Sequence, residues 1–258
     1  MAKQWKWLNN FVGQRRRPPS VPEGCCVYAI GDLHGRADLL EHLLERIFGD
    51  AGEVNNTLIF LGDYIDRGPD SKGVVERLIH LQRPGWSIVK LRGNHEQLLL
   101  EYLNNPEGYQ AWRAIGGAET LLSYGVRPPM FSDAKELRRT HEEFVAQFPR
   151  AHFAFLTGLS YSHVIGDYFF VHAGVRPGIS LDRQSPEDML GIREEFLGSD
   201  ERLEKVVVHG HTPTESPVMK PNRIGIDTGA YATNCLTAVK LAGESCMFLS
   251  TGDTQPLH

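Results

Sequence analysis

The sequence predicts an α/β sandwich, and three observations indicate that fold class. Short apolar, β-branched segments recur along the chain, and they end at corners of the Gly-Asp, Gly-Asn or His-Gly type. Between the first three lie amphipathic segments, Ala37–Phe48 and Lys72–Leu81, with apolar residues at helical spacing. Strands that alternate with helices predict parallel βαβ units whose sheet is covered by helices. The later strands have little helix between them, which predicts a second, mostly antiparallel sheet in the same domain.

The predicted strands are Cys26–Ile30, Thr57–Leu61, Ser87–Leu91, Tyr168–Val171, Val206–Val208, Arg223–Ile226, Leu236–Leu241 and Cys246–Leu249. Residues 97–160 form a long, helix-rich insertion between strands, with helices predicted at Glu96–Leu103, Ala111–Leu122 and Ala134–Phe148. Such an excursion often builds a lid or a specificity wall, or it covers the edge of a sheet.

Composition and cysteine usage limit the class of protein. The 258 residues are 41% hydrophobic and 23% charged, as in ordinary globular proteins. No apolar segment approaches the roughly 18 residues of a membrane span, and the N-terminus lacks an apolar segment with a cleavage site. Four cysteines do not make a disulfide framework in a chain this long. We therefore expect no transmembrane segment, no secretory signal, free thiols and a cytoplasmic protein.

Residues 1–20 form a basic N-terminal arm that is distinct from the remaining domain, 21–258. The first 19 residues carry a charge of +5, so the rest of the chain carries −5 − 5 = −10. An acidic domain disfavours nucleic-acid binding, which requires clustered Lys and Arg. The arm is either a solvated tail or a weak contact for a membrane surface or a partner. The apolar residues available for such a contact are Trp5, Trp7, Leu8 and Phe11.

Polar residues concentrate where the predicted strands end. The first three strands are followed by the motifs GDLHG (31–35), GDYIDRG (62–68) and RGNHE (92–96). Asp32, Asp63 and Asn94 are 63 − 32 = 31 and 94 − 63 = 31 residues apart, the size of a βαβ unit of about 30 residues or more. These residues should lie at the carboxyl ends of neighbouring parallel strands, where open α/β sheets bind ligands. Two later strands end similarly, in VHAG (171–174) and HGHTP (209–213).

These corners together supply six candidate metal ligands: Asp32, His34, Asp63, Asn94, His172 and His211. Carboxylates, an amide oxygen and imidazoles suit Mn²⁺, Fe or Zn²⁺. Six ligands are too many for one ion with an open position, whereas one carboxylate that bridges two ions accommodates them. A single Gly-Asp corner is commonly a turn, and a lone histidine is more often structural. Five corners in one order are hard to explain as turns, so we predict a two-metal site.

The five motifs resemble those of the calcineurin-like metallophosphoesterases, and within them the phosphoprotein phosphatase family, especially bacterial and phage serine/threonine phosphatases. The resemblance runs from about Cys26 to Ala230, with the arm and the insertion outside it. It implies a sandwich of two mixed β-sheets flanked by helices. It also implies one metal ion held by Asp32, His34 and Asp63, and a second held by Asp63, Asn94, His172 and His211.

One position departs from the pattern of the wider superfamily. Many members have a GHxH motif whose last histidine also binds the first metal, and Pro213 stands at that position here. The first site should then keep three protein ligands, as in the protein phosphatase branch rather than the nuclease and phosphodiesterase branches. His209, which precedes the motif, is interpreted as a strand residue.

The expected reaction is hydrolysis of a phosphoric monoester by a hydroxide that bridges the two ions and attacks phosphorus in line. Bound cations lower the pKa of water enough for this hydroxide to exist at neutral pH. The leaving alkoxide needs a general acid, and His95, next to Asn94, is the candidate. Asp66 would hydrogen-bond the other nitrogen of His95 and raise its pKa.

Arginines are expected to bind the phosphate. Arg67 and Arg92 each lie beside a motif residue and are placed for bidentate contacts. The resemblance implies a third arginine between the two late histidines, which Arg193 matches best. Arg193 is equally consistent with a solvated charge paired with Glu194 or Glu195.

The predicted function is that of a metal-dependent serine/threonine protein phosphatase that uses Mn, or alternatively Fe or Zn. Its partners would be phosphorylated proteins or small phosphoesters. A symmetrical dinucleoside polyphosphate hydrolase is the alternative enzyme. A catalytically idle phospho-binding module is disfavoured, because every ligand and the candidate acid are present. Trp112, Asp227 and Tyr231 are interpreted as core, turn and packing residues, respectively.

Overall fold

The computed structural model describes residues 17–130 and 133–252. Residues 1–16, with the four apolar residues of the predicted arm, lie outside the described residues. At the described end of the arm, the Ser20 backbone N–H donates to the Asp167 carboxylate at 3.0 Å, and Arg17 lies 3.4 Å from the same carboxylate. These contacts hold residues 17–20 against the turn at Gly166–Asp167.

The strands are β1 (Cys25–Ile30), β2 (Asn55–Phe60), β3 (Trp86–Lys90), β4 (Ser162–Ile165), β5 (Tyr168–Val171), β6 (Val206–His209), β7 (Val218–Met219), β8 (Arg223–Gly225), β9 (Thr237–Ala242) and β10 (Ser245–Ser250). The helices are α1 (Ala37–Asp50), α2 (Ser71–His80), α3 (Asn94–Asn104), α4 (Tyr109–Ala114), α5 (Gly117–Ser123), α6 (Ala134–Gln147), α7 (Arg150–Thr157), α8 (Pro186–Gly191), α9 (Glu194–Leu197) and α10 (Ala230–Thr233). Every predicted strand forms within two residues of its predicted bounds.

The strands form two mixed sheets, which confirms the predicted fold class. The first sheet has the order β10-β9-β1-β2-β3, with β1, β2 and β3 parallel and β9 antiparallel to β1. The second has the order β4-β5-β6-β8-β7. Its three central strands, β5, β6 and β8, are parallel, and only the edge strands run antiparallel to them.

The expectation of a mostly antiparallel second sheet is therefore wrong. Two of the later strands, β9 and β10, join the first sheet instead. The parallel connection from β5 to β6 contains α8 and α9, which were not predicted. These helices have six and four residues, too few for their apolar periodicity to stand out in a window of about 11–18 residues.

The side chains of each sheet alternate between two apolar layers. Val27 of β1 packs between the sheets with Phe170 of β5, whereas Tyr28 faces α1, α2 and the insertion. Phe169 packs on the outer face of the second sheet with Phe196 of α9. Burial of a large apolar side chain contributes about 1.5–3 kcal/mol, so these layers fix the strand ends relative to one another.

The insertion packs against the helical face of the first sheet through Trp112 and Phe144, among others. The predicted helix Ala111–Leu122 is broken into α4 and α5 at Gly116, where φ is 109°. Only glycine adopts such a left-handed angle at low cost. Pro149 separates α6 from the unpredicted α7, because proline lacks the backbone N–H that would continue the helix.

Candidate active site

The predicted ligands follow the carboxyl ends of parallel strands in both sheets. Asp32 follows β1, Asp63 follows β2, Asn94 follows β3, His172 follows β5 and His211 follows β6. The two sheets bring them to one place: His172 Nε2, from the second sheet, lies 3.3 Å from Asp63 Oδ1, from the first.

Much of the site has a left-handed backbone. Positive φ angles occur at His34 (43°), Asp63 (53°), Asp66 (71°), Arg67 (65°) and His211 (64°). In the described residues the only other non-glycine position with a positive φ is Asn234. Such angles cost of order 1–3 kcal/mol each outside glycine and persist only where surrounding packing maintains them. Strain is therefore concentrated where side chains must turn towards a common point.

Two glycines allow the backbone to approach the carboxylates. A Cβ on Gly93 would overlap the Asp63 carboxylate, and a Cβ on Gly210 would overlap the Asp32 carboxylate. Neither glycine has a positive φ. The absence of a side chain, rather than backbone freedom, is what these positions require.

A first cluster joins Asp63, His34 and His95. Asp63 Oδ2 lies 3.6 Å from His34 Nε2 and 3.6 Å from His95 Nε2. The His34 Nδ1–H donates to the Ile65 carbonyl at 2.8 Å, which leaves the lone pair on Nε2. Burial, only partly offset by Asp63, lowers the pKa of His34 to about 3. The ring is therefore neutral at physiological pH, which is the form that binds a metal ion.

Asp63 also belongs to a second cluster. His172 Nε2 lies 3.0 Å from Asn94 Oδ1 and 3.2 Å from His211 Nδ1. The His172 Nδ1–H donates to the Leu61 carbonyl, so a neutral ring presents only a lone pair at Nε2. Three acceptor atoms, on a neutral His172, Asn94 and Asp63, then face one another, and either a metal ion or a proton on Nε2 would relieve their repulsion. Burial alone would lower the pKa of His172, but Asp63 outweighs it and raises that pKa.

Asp32 adds a further buried carboxylate. Both of its oxygens lie 3.1 Å from the backbone N–H of His211. Burial, and then the carboxylates of Asp227 and Asp63, raise the pKa of Asp32 well above its usual range. Divalent cations would neutralise these carboxylates, and the oxygen and imidazole donors suit Mn, Fe or Zn. The two clusters, which share Asp63, could thus hold metal ions.

His95 and Asp66 form a buried pair. The His95 Nδ1–H donates to Asp66 Oδ2 at 2.7 Å. Burial alone would lower the pKa of His95, but Asp63 and the bond to Asp66 outweigh it, and the pKa is raised. Asp66 also accepts the Trp112 indole N–H at 2.9 Å and the Thr120 hydroxyl at 2.6 Å. The interpretation of Trp112 as a core residue was incomplete, since a buried indole N–H needs an acceptor.

Glu96 supports the site in a way that the sequence analysis missed. Its buried carboxylate accepts the backbone N–H groups of Asp63 (2.9 Å), Tyr64 (2.8 Å) and Gly93 (2.8 Å). Burial, followed by Asp63, raises the pKa of Glu96 to about 7. A glutamate at the third position of a helix that begins at Asn94 is a known capping signal and could have revealed the bond to Gly93.

Two of the three predicted arginines reach the clusters. Arg67 Nη1 donates to His34 Nε2 at 3.2 Å, and Arg193 Nε donates to His211 Nε2 at 3.1 Å. Within the described residues, Arg193 makes no ion pair with Glu194 or Glu195. Arg67 follows β2 of the first sheet, and Arg193 lies in the connection from β5 to β6 of the second sheet. The two guanidinium groups thus come from segments that are attached to different sheets.

The Arg92 guanidinium is bonded to the insertion. Its Nη2 donates to the carbonyls of Leu156 and Thr157 at the end of α7, both at 3.1 Å. Its Nη1 donates to Gln97 Oε1 and to the Tyr161 hydroxyl. Arg92 would have to leave the α7 carbonyls to bind a phosphate with the same N–H groups.

Three other residues were singled out in the sequence. The half-exposed ring of Tyr231 lies 5.4 Å from the His34 ring, with the Arg67 guanidinium 4.8 Å from its centre. Asp227 accepts the Gly229 N–H in a turn at 2.8 Å, as expected, and also acts electrostatically on Asp32. His209 is the last residue of β6, and burial lowers its pKa to about 4.

The family of the chain follows from a comparison with known proteins. A model of the calcineurin-like phosphoesterases matches residues 27–238, which include the six candidate ligands and His95. The chain belongs to the calcineurin-like phosphoesterase family. The match extends across the insertion that the motifs had left outside.

Relatives within this family differ in activity. Serine/threonine-protein phosphatase 1 of Salmonella typhimurium is 26% identical over 228 residues, covering 83% of this chain and 91% of that protein. The symmetrical bis(5'-nucleosyl)-tetraphosphatase of Pseudomonas putida is 28% identical over 213 residues, covering 83% of this chain but 63% of that protein. The chain thus spans less than two thirds of the length of the second relative.

A solved structure shares the fold. The cold-active protein-tyrosine phosphatase of a psychrophilic Shewanella species has a TM-score of 0.56 and 16% identity, covering 89% of this chain and 83% of that one. Among the described residues, no helix combines the length and apolar character that crossing a membrane would require.

Proposed function

We propose that this phosphoesterase is a serine/threonine protein phosphatase. The observation that carries the proposal is the buried His95–Asp66 pair, with His95 Nε2 only 3.6 Å from Asp63. An alkyl leaving group such as serine requires a positioned proton donor, whereas a better leaving group does not. The Salmonella relative, which this chain covers over 91% of its length, supports the same substrate class.

We assign two metal ions to the clusters that share Asp63. Asp32, His34 and Asp63 would hold one, and Asp63, Asn94, His172 and His211 the other. When bound, the ions would act as Lewis acids and lower the pKa of water. Manganese is the proposed metal, with iron or zinc as alternatives, because the donors combine hard oxygens with imidazoles.

The protein's own residues would then orient the phosphate and supply a proton. His95 would give its Nε2 proton to the leaving oxygen while Asp66 holds the opposite nitrogen. Arg67 and Arg193 would bind phosphate oxygens, because their N–H groups already point at the clusters. Arg92 is the weaker candidate for this role, since its Nη2 is bonded to α7 and its Nη1 to Gln97 and Tyr161.

Symmetrical hydrolysis of dinucleoside polyphosphates is the second candidate function. The Pseudomonas relative has that activity in its name and is 28% identical. Tyr231 could stack on a nucleotide base, because its ring is 38% exposed beside Arg67. The proposed location is the cytoplasm, which the four free thiols favour.

The test compares substrates for the purified chain with Mn²⁺: phosphoserine, phosphothreonine and phosphotyrosine peptides, p-nitrophenyl phosphate and diadenosine tetraphosphate. We expect the phosphoserine and phosphothreonine peptides to give the highest kcat/KM. Preference for diadenosine tetraphosphate would favour the second function, and preference for phosphotyrosine would overturn the proposed specificity.

The role of His95 is tested with His95→Asn, using His42→Asn on the exposed face of α1 as the control. Loss of a general acid should lower kcat on the phosphoserine peptide by roughly 10²–10⁴-fold. The loss should be much smaller on p-nitrophenyl phosphate, whose leaving group needs little protonation. Equal losses on both substrates would contradict the assignment.

A further inference from the structure

Two side chains of the insertion bind the carboxylate that orients His95. Trp112, in α4, and Thr120, in α5, both donate to Asp66. Trp112, Thr120 and Asp66 are completely buried. Together with His95, these donors give Asp66 a partner for each carboxylate oxygen, so its orientation is fixed from two sides.

Thr120 also fixes the backbone of Asp66. The Asp66 N–H lies 3.0 Å from Thr120 Oγ1 and 2.9 Å from Ser71 Oγ, and those two hydroxyls are 2.9 Å apart. Asp66 has a φ of 71°, so these bonds act on a residue in a strained conformation. Thr120 thus contacts the main chain and the side chain of the same aspartate.

The break between α4 and α5 makes this arrangement possible. The Arg67 N–H donates to the Gly116 carbonyl, and Arg67 Nε donates to the Ile115 carbonyl, both at 3.2 Å. A Cβ on Gly116 would overlap Arg67. The break therefore lies directly against the residue that follows Asp66, with Trp112 on one side of it and Thr120 on the other.

We propose that Trp112 and Thr120 are positioning residues that hold Asp66, and through it His95, in the geometry needed to protonate the leaving group. This inference rests on the proposed role of His95 as general acid. If either donor is lost, the orientation of the Asp66 carboxylate is less constrained. The His95 imidazole that Asp66 holds would then be misaligned with the leaving oxygen. The loss of either donor should therefore lower kcat on substrates whose leaving group must be protonated, and it should leave phosphate binding and metal binding unchanged.

The test uses Trp112→Phe, which removes the indole N–H together with one ring of the side chain, and Thr120→Val, which removes the hydroxyl with little change in shape. The matched controls are Trp86→Phe, at the amino end of β3, and Thr140→Val, which is buried in α6. A hydrogen bond to a charged group is worth a factor of about 10–100, so kcat on the phosphoserine peptide should fall by that factor. On p-nitrophenyl phosphate, kcat should change far less, with KM and bound metal unaltered.

Thr120→Ser supplies a rescue, since it keeps the hydroxyl and should keep the activity. Equal loss on both substrates, loss of bound metal, or no loss from either variant would overturn the positioning role. Should Trp112→Phe fail to fold by circular dichroism, the Thr120→Val and Thr120→Ser pair decides alone. If His95→Asn itself shows no leaving-group dependence, the proposed function fails; if only the insertion variants lack it, the positioning role fails alone.

Discussion

Glu96 offers a quantitative test of how the strained loop at Asp63 is held. Its carboxylate accepts three backbone N–H groups, two of them on Oε2, from Asp63 and Gly93. The third, from Tyr64, goes to Oε1. The amide of Glu96→Gln should rotate so that its oxygen keeps the two bonds from Asp63 and Gly93, which places an NH₂ donor opposite the Tyr64 N–H.

The expected cost follows from the one bond lost. A hydrogen bond to a charged group contributes about 1.5–3 kcal/mol, so the free energy of unfolding should fall by that amount. That is a large part of a total stability of about 5–15 kcal/mol. At 2–4 °C per kcal/mol for a domain of about this size, Tm should fall by roughly 3–12 °C.

Urea unfolding, monitored by circular dichroism, measures this change in the free energy of unfolding. Both proteins are compared at pH 8 with saturating Mn²⁺, because without a cation beside Asp63 the pKa of Glu96 is about 7 and its ionisation would oppose folding. Glu101→Gln, on the exposed side of the same helix, is the matched control and should change stability by less than about 0.5 kcal/mol. A loss below about 1 kcal/mol for Glu96→Gln would refute the reasoning.

Two further variants test the roles of ligand and arginine. Asp63→Asn should abolish binding at both metal sites, and Asp38→Asn, on the exposed face of α1, is the control. Elemental analysis that still finds two ions would contradict the shared ligand. Arg193→Ala should raise KM for phosphoesters about 10–100-fold, as expected for lost bonds to a charged phosphate. Arg202→Ala, at an exposed position, is the control. If the two variants have the same steady-state kinetics, Arg193 is a solvated surface charge and does not bind phosphate.

The strand-end corners were predictable because the signals are local. A short apolar segment followed by Gly-Asp or His-Gly carries its own strand and turn information. The equal spacing of Asp32, Asp63 and Asn94 then places them at one edge of a parallel sheet without any knowledge of distant contacts. The bounds of β1, β2 and β3 agree with these corners within two residues.

Other features depend on contacts between distant segments, which local patterns do not encode. Trp112 bonds to Asp66, 46 residues earlier, yet its own neighbourhood is that of an ordinary amphipathic helix. The direction of the second sheet was missed for a related reason, because α8 and α9 are too short to be recognised. The bonds of Arg92 to α7 likewise depend on a helix that no periodicity predicted.

The contacts of the insertion bear on a choice that the sequence left open, between a lid, a specificity wall and a cover for a sheet edge. A lid that swings away would break the bonds of Trp112 and Thr120 to Asp66 and those of Arg92 to α7. Each such bond to a charged partner contributes about 1.5–3 kcal/mol, and the buried indole would be exposed to water as well. Opening would therefore cost a large fraction of the total stability of the domain. These energies argue against a lid and leave a specificity wall or a cover for the first sheet, so selection among phosphoesters should not depend on movement of the insertion.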